Sequence, residues 1–158
     1  MGQFGVSRRD PSRPRGPGNY TLTAPPRQLK LGSWVGQGLD HYGAAVVYRV
    51  RVDKPANGRV IIRLPGLKGT AAAIHVGDQV RPLVFPPYEA DVTDLLSDGP
   101  NDVRIEVIGG RHNILGPLHT PWESWTGPGQ FSPLNEKWTQ DYLLNDHGLM
   151  QPVEVVTG

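Results

Sequence analysis

Trp122, Glu123 and Trp125 lie within Thr120-Pro121-Trp122-Glu123-Ser124-Trp125-Thr126-Gly127, and Arg111, His112, Asn113, His119 and Trp138 lie within a short run on either side. An indole offers a flat apolar face, while carboxylate, amide, imidazole and guanidinium groups offer directed donors and acceptors. That combination suits a carbohydrate, which has one apolar face and a hydroxylated rim, so these eight residues are the candidate ligand-binding set. The same indoles also suit a second task, anchoring a long loop over a sheet or a neighbouring domain. Sequence alone leaves both readings open.

Other chemistries find less support. Glycoside hydrolysis needs two carboxylates at a set separation across a cleft, and nothing in the spacing of Glu123, Glu136 and Asp141 fixes such a pair. His41, His75, His112, His119 and His147 are scattered, with neither an H-E-x-x-H motif nor a helical i, i+4 pair to seat a transition metal. A structural calcium ion is compatible with loop carboxylates and carbonyls, but no Asp-rich loop is offered, and no metal or cofactor is expected. No G-x-S-x-G elbow and no phosphate-cradling glycine loop occurs. No catalytic residue is therefore assigned, and the chain is read as having no enzymatic activity of its own.

Twenty glycines and sixteen prolines among 158 residues suit many short strands joined by turns better than helices. A (β/α)₈ barrel takes about 250 residues and does not fit. Sixteen basic against fifteen acidic residues leave a formal charge of +1, so no global field recruits nucleic acid or an anionic membrane. The absence of cysteine excludes disulfides, thiol nucleophiles and thiolate zinc sites. No apolar run approaches the ~18 residues of a membrane span, and no signal-peptide core is visible, so localisation is left unassigned.

The elements that must position the candidate residues read as strands. Ala44–Val52 alternates, with Val46, Tyr48, Val50 and Val52 on one face and Val47, Arg49 and Arg51 on the other. Val60, Ile62 and Leu64 follow an Asn57-Gly58 turn, and Ala72, Ile74 and Val76 form the next inward set. Strands are also expected over Gln79–Phe85 and Tyr88–Val92. Thr93–Leu96 reads as an N-capped helical turn stopped by Gly99-Pro100. Asp102–Ile108 alternates most cleanly, with Val103, Ile105 and Val107 inward, and Asp141–Leu144 and Pro152–Val156 are expected to close the fold. Residues 1–26, rich in Gly, Pro, Ser and Arg, read as a disordered or linker-like arm, in which Asn19-Tyr20-Thr21 is a formal glycosylation sequon. Residues 27–158 read as a single domain. Roughly eight strands without a helix-length segment predict an all-β, antiparallel two-sheet jelly-roll sandwich.

Three stretches carry a resemblance. Leu29-Lys30-Leu31-Gly32-Ser33-Trp34, running through Asp40-His41-Tyr42-Gly43 to Val47-Tyr48-Arg49, is similar to an opening L-G-S-W phrase followed by Y-x-G, here without the spacer. Ala73-Ile74-His75-Val76-Gly77-Asp78 is similar to a V-x-V-N-G strand and turn, with Gly-Asp in place of Asn-Gly. Pro87-Tyr88-Glu89-Ala90-Asp91-Val92-Thr93-Asp94-Leu95-Leu96, with Gly99-Pro100-Asn101-Asp102-Val103 and the strand after it, is close to P-x-x-x-D-V-T-x-L-L then G-x-N-x-L-x-V-x-V. Together they resemble the galactose-binding-like jelly-roll domains attached to glycoside hydrolases such as β-galactosidases, β-glucuronidases and rhamnosidases. The tail, with Asn113-Ile114-Leu115-Gly116-Pro117 and His147-Gly148-Leu149, is loosely similar to the closing segment of a subset of them. The resemblance implies a non-catalytic accessory module whose partner is a carbohydrate or a glycosidase catalytic domain. The alternative it leaves is a structural or interaction domain that buttresses a catalytic domain or oligomer without touching sugar. Oligomeric state is not read from the sequence.

Overall fold

The structure, a computed structural model, describes residues 4–121 and 126–158. The described residues form strands β1 (Gly5–Arg8), β2 (Tyr20–Thr23), β3 (Ala45–Lys54), β4 (Val60–Arg63), β5 (Leu67–Lys68), β6 (Ala71–Val76), β7 (Gln79–Leu83), β8 (Glu89–Asp91), β9 (Gly99–Ile108), β10 (Gly148–Leu149) and β11 (Glu154–Thr157). Among the described residues helix is confined to one turn, α1 (His112–Leu115), and two 3-10 turns, Thr93–Leu95 and Pro128–Phe131. Every strand pair is antiparallel, and the chain is all-β as its alternation predicts. It divides into two compact units: a sandwich unit of Leu31–Ser33, Ala44–Gly110 and His147–Gly158, and a second unit of the described residues within Met1–Lys30, Trp34–Gly43 and Arg111–Asp146.

In the sandwich unit one sheet runs β3-β9-β6-β7 and another β11-β4-β8, with β10-β5 as a short pair. β9 is the centre of the larger sheet. Its Val103, Ile105 and Val107 are fully buried and sit opposite Val50, Tyr48 and Val46 of β3 and opposite Val76, Ile74 and Ala72 of β6. Period-two alternation thus puts all nine side chains on one face, as the sequence indicates. β4 supplies Val60 and Ile62, and Val52, Leu64, Leu67, Leu83, Val92, Leu96 and Leu149 complete the core of this unit. Each such side chain contributes about 1.5–3 kcal/mol on burial.

Turn chemistry closes the strands. Asn57 sits at φ 59°, and the Gly58 amide donates to the Pro55 carbonyl at 3.0 Å, so the Asn-Gly pair takes the left-handed conformation it tolerates. The turn after β8 differs from the expected one. Thr93 is not an N-cap but the first residue of the turn, and its hydroxyl accepts the Val60 amide at 2.8 Å. Asp91 does the holding: its carboxylate accepts the Thr93 hydroxyl at 2.6 Å, the Thr93 amide at 3.0 Å and the Arg59 guanidinium at 2.7 Å. Those donors, the Thr93 hydroxyl first and Arg59 next, lower its pKa to about 2. Gly99, at φ 87°, opens β9 rather than merely ending the turn.

In the second unit β1 and β2 pair with Arg8 opposite Tyr20 and Gly5 opposite Thr23. This hairpin lies inside the segment expected to be an arm. What orders it is polar rather than apolar. The buried Asn19 amide donates to the carbonyls of Asp10 and Pro14 at 2.9 Å each and accepts the Asp10 amide at 3.0 Å. The sequon amide is thereby consumed inside the loop it organises. Gly16 is required by close approach, because a Cβ there would meet the Gln140 carbonyl oxygen at 2.4 Å. Asp141–Leu144, expected as a closing strand, is not one. The Tyr142 amide donates to Arg15 and the Leu143 amide to Leu118, so successive donors serve two different loops instead of one ladder.

Ile105→Ala is expected to cost about 2–5 kcal/mol in urea denaturation, since it leaves a cavity at the centre of the sandwich. Arg104→Ala, on the opposite face, is expected to stay within about 0.5 kcal/mol of the parent, and equal losses would disprove the register.

Candidate functional site

Five aromatic rings converge in the second unit. Tyr20, the first residue of β2, stands edge-on to His41 at 5.1 Å between ring centroids and stacks with Tyr142 at 5.9 Å. His41 meets Tyr142 edge-on at 5.3 Å, His119 meets it at 4.8 Å, and His119 stacks on Trp138 at 4.3 Å with 21° between planes. All five rings are half-buried, so each keeps part of its surface in water.

Polar contacts fix the cluster. The Asp40 carboxylate is 2% exposed and accepts the Tyr20 hydroxyl at 3.0 Å and the Gly36 amide at 2.6 Å. Burial, and then the negative charge of Asp40 and the hydrogen bond to it, push the Tyr20 hydroxyl well above the ordinary tyrosine range. It remains a protonated donor throughout the neutral region. His41 Nδ1 lies 2.9 Å from the Asn113 carbonyl oxygen and His119 Nδ1 lies 2.9 Å from that of Thr139. A carbonyl only accepts, so each Nδ1 carries the proton, and in the neutral ring Nε2 is left as an acceptor.

The predicted residues fall into three groups. His119 and Trp138 are brought into face-to-face contact. Asn113 is 1% exposed and works as a staple: its amide donates to the Asn145 carbonyl at 2.9 Å, and its side-chain oxygen accepts the Asn145 amide at 2.8 Å. His112 donates through Nε2 to the Leu143 carbonyl at 3.0 Å, while Arg111 is exposed just before α1. Trp122, Glu123 and Trp125 lie outside the described residues. Tyr20, Asp40, His41 and Tyr142 were not in the predicted set. Their separation along the chain hides them, since no periodicity links residue 20 to residue 142. Among the described residues no group of three or more His, Asp or Glu side chains is placed to hold a metal ion.

The fold recurs in part of two much longer enzymes. A rhamnosidase from Novosphingobium sp. PP1Y superimposes with a TM-score of 0.55 at 17% identity, over 98% of this chain and 14% of that one. A Ruminococcus gnavus β-glucuronidase gives 0.50 at 16% identity, over 99% of this chain and 28% of that one. What is shared is the fold. The chain therefore corresponds to a minor part of each glycoside hydrolase chain, and both are of kinds that the sequence resemblance names. No family model and no curated protein matches it in sequence.

Because the folded pKa of Tyr20 lies above its unfolded value of about 10, the stability it contributes is complete below pH ~10 and is lost as pH rises beyond that. Tyr20→Phe is expected to cost about 1–3 kcal/mol at neutral pH, leaving the buried Asp40 short of a donor. Urea midpoints at neutral and strongly alkaline pH test this, since the parent and the variant should converge as the pH rises. A constant gap would contradict the assignment.

Proposed function

We propose that this chain is a non-catalytic module that accompanies a glycoside hydrolase domain and contacts carbohydrate through the ring cluster of its second unit. The observation that carries the sugar contact is the His119–Trp138 stack, continued through Tyr142 to Tyr20 and His41. Half-buried rings held rigidly offer flat apolar surface to a pyranose face at little ordering cost, and the Nε2 atoms of His41 and His119 suit its hydroxyls. The accessory role is supported by the extent of the structural match, nearly all of this chain against 14% and 28% of two glycosidase chains. The acidic groups near the rings argue against hydrolysis by these residues. Asp40 is buried under two donors, and Asp141 accepts the Arg15 amide at 2.6 Å, whereas a hydrolase needs two carboxylates facing one glycosidic oxygen.

A second reading is favoured by the inward use of polar ring atoms. His112, His119 and His41 each spend a nitrogen on the chain's own carbonyls, as side chains that merely order a long loop would. In that reading the chain buttresses a catalytic domain without touching sugar.

Titration calorimetry with rhamnose-terminated and glucuronate-terminated oligosaccharides separates the two. Saturable binding is expected, with Trp138→Ala weakening it about tenfold, or ~1.4 kcal/mol, while the melting temperature stays close to that of the parent. If the parent binds neither sugar and Trp138→Ala melts early, the rings are structural and the buttress reading replaces the sugar reading.

A further inference from the structure

We propose that the outward face of the β3-β9-β6-β7 sheet is a docking surface for a protein partner that presents carboxylates. This goes beyond the sugar reading and uses none of its residues.

The argument starts from register. With Val50 and Val103 committed to the core, the alternate positions Arg49 and Arg51 of β3 and Arg104 of β9 must point outward. Arg49 lies directly opposite Arg104, a like-charge cross-strand pair that costs stability, while Arg51 lies opposite Asp102. These four line an open depression of about 520 Å³ together with Val50, Val103 and Gly77. Three guanidinium groups thus face one carboxylate across the depression.

Elsewhere in the sandwich unit the chain neutralises its own arginines. Arg59 bonds Asp91, Arg63 bonds Glu89 and Arg81 bonds Asp94, each at 2.7 Å. Arg104 has a carbonyl, that of Gly77 at 3.1 Å, whereas the side chains of Arg49 and Arg51 bond to no described residue. Residues i and i+2 of a strand are about 6.6 Å apart, so the two free guanidiniums match carboxylates on alternate residues of an extended segment, each capable of bidentate pairing.

The rest of the face selects a protein over an acidic polysaccharide. Val47 and Val80 are 51% exposed and Ile108 is 39% exposed on the same side of the sheet, giving an apolar border beside the arginines. Arginine is enriched at protein interfaces, and the three aliphatic side chains supply apolar surface that such an interface buries. Sugar platforms use flat aromatic rings, and the outward positions of β3, β6, β7 and β9 carry no Trp, Tyr or Phe.

The test uses the full chain and a fluorescein-labelled peptide of alternating glutamate and valine, followed by anisotropy at low and high salt. Saturable binding is expected at low salt, weakened at high salt as screening rises, and reduced about tenfold or more by Arg49→Glu combined with Arg51→Glu. Arg49→Glu alone converts a like-charge pair into an opposite-charge pair, so its melting temperature should equal or exceed that of the parent while peptide binding falls. Arg51→Gln gives a milder second variant with the same expected direction. Trp138→Ala should leave peptide binding intact, which keeps this surface distinguishable from the ring cluster. The proposal is overturned if the parent shows no saturable binding, if the arginine variants bind as the parent does, or if an alternating lysine and valine peptide binds equally. Preference for polygalacturonate over the peptide would also overturn it, assigning the face to an acidic polysaccharide.

Discussion

The alternation of β9 constrains everything in the sandwich unit. Val103, Ile105 and Val107 point into the core between partners on both sides, and a slip of one residue would turn all three into water and bring Arg104 and Glu106 inside. Burying unpaired charge is far more expensive than burying valine is favourable, so the register is held from both directions. The outward chemistry follows from this. Arg104 faces water because its neighbours cannot, and Arg49 faces Arg104 because β3 is registered on the same core. The charged depression is thus a by-product of core geometry in which Asp102 is the one carboxylate among three arginines, whereas Arg59, Arg63 and Arg81 each bond a carboxylate of their own.

The second unit is stabilised by a different principle. Its strands are four residues long and contribute few buried side chains, so apart from Trp34, which is 1% exposed, much of its order comes from polar groups placed one at a time. The Asn19 amide gathers the loop between β1 and β2, the Asn113 amide clips the chain at Asn145, and Asp40 holds both the Tyr20 hydroxyl and the Gly36 amide. Each of these is costly to remove, because the partner left behind is a buried donor or acceptor. Rigid polar scaffolding of this kind holds rings at fixed mutual angles without sealing them in a core. That is why five rings can touch one another and still remain half-exposed.

This contrast also sets what the sequence reveals. Strands β3, β4, β6 and β9 announce themselves, because a two-sheet core writes a period of two into Val46 to Val52, Val60 to Leu64 and Val103 to Val107. Polar scaffolding writes no period. The hairpin of β1 and β2 sits in a segment whose Gly, Pro and Arg content reads as an arm, since its one decisive residue, Asn19, looks like any turn asparagine. Asp141–Leu144 has strand composition, yet its amides are claimed by Arg15 and Leu118. In the candidate site, the sequence places His119 and Trp138 in one aromatic loop, but their stacking, between residues well separated along that loop, is visible only in the structure. The sequence does not join Tyr20, Asp40 and His41 to them, because the hairpin that delivers Tyr20 is itself invisible there.

The two proposed surfaces differ in a way that bears on what each can recognise. In the ring cluster the nearby carboxylates are already hydrogen-bonded, and the groups left over are aromatic faces and imidazole acceptors, which suit a hydroxyl-rich ligand. On the sheet the aromatic component is missing and the groups left over are guanidiniums bordered by valine and isoleucine, which suit an anionic ligand with apolar flanks. A ligand that satisfied one surface would leave the other's requirements unmet: a neutral sugar offers Arg49 and Arg51 no charge, and an acidic peptide meets at the rings an Asp40 whose charge is buried and whose donors are already committed. Selectivity of this sort does not require the two units to communicate. It requires only that the groups each surface leaves unpaired differ in kind, and beside the rings the Asp40 carboxylate and the Asn113 amide are already committed within the chain.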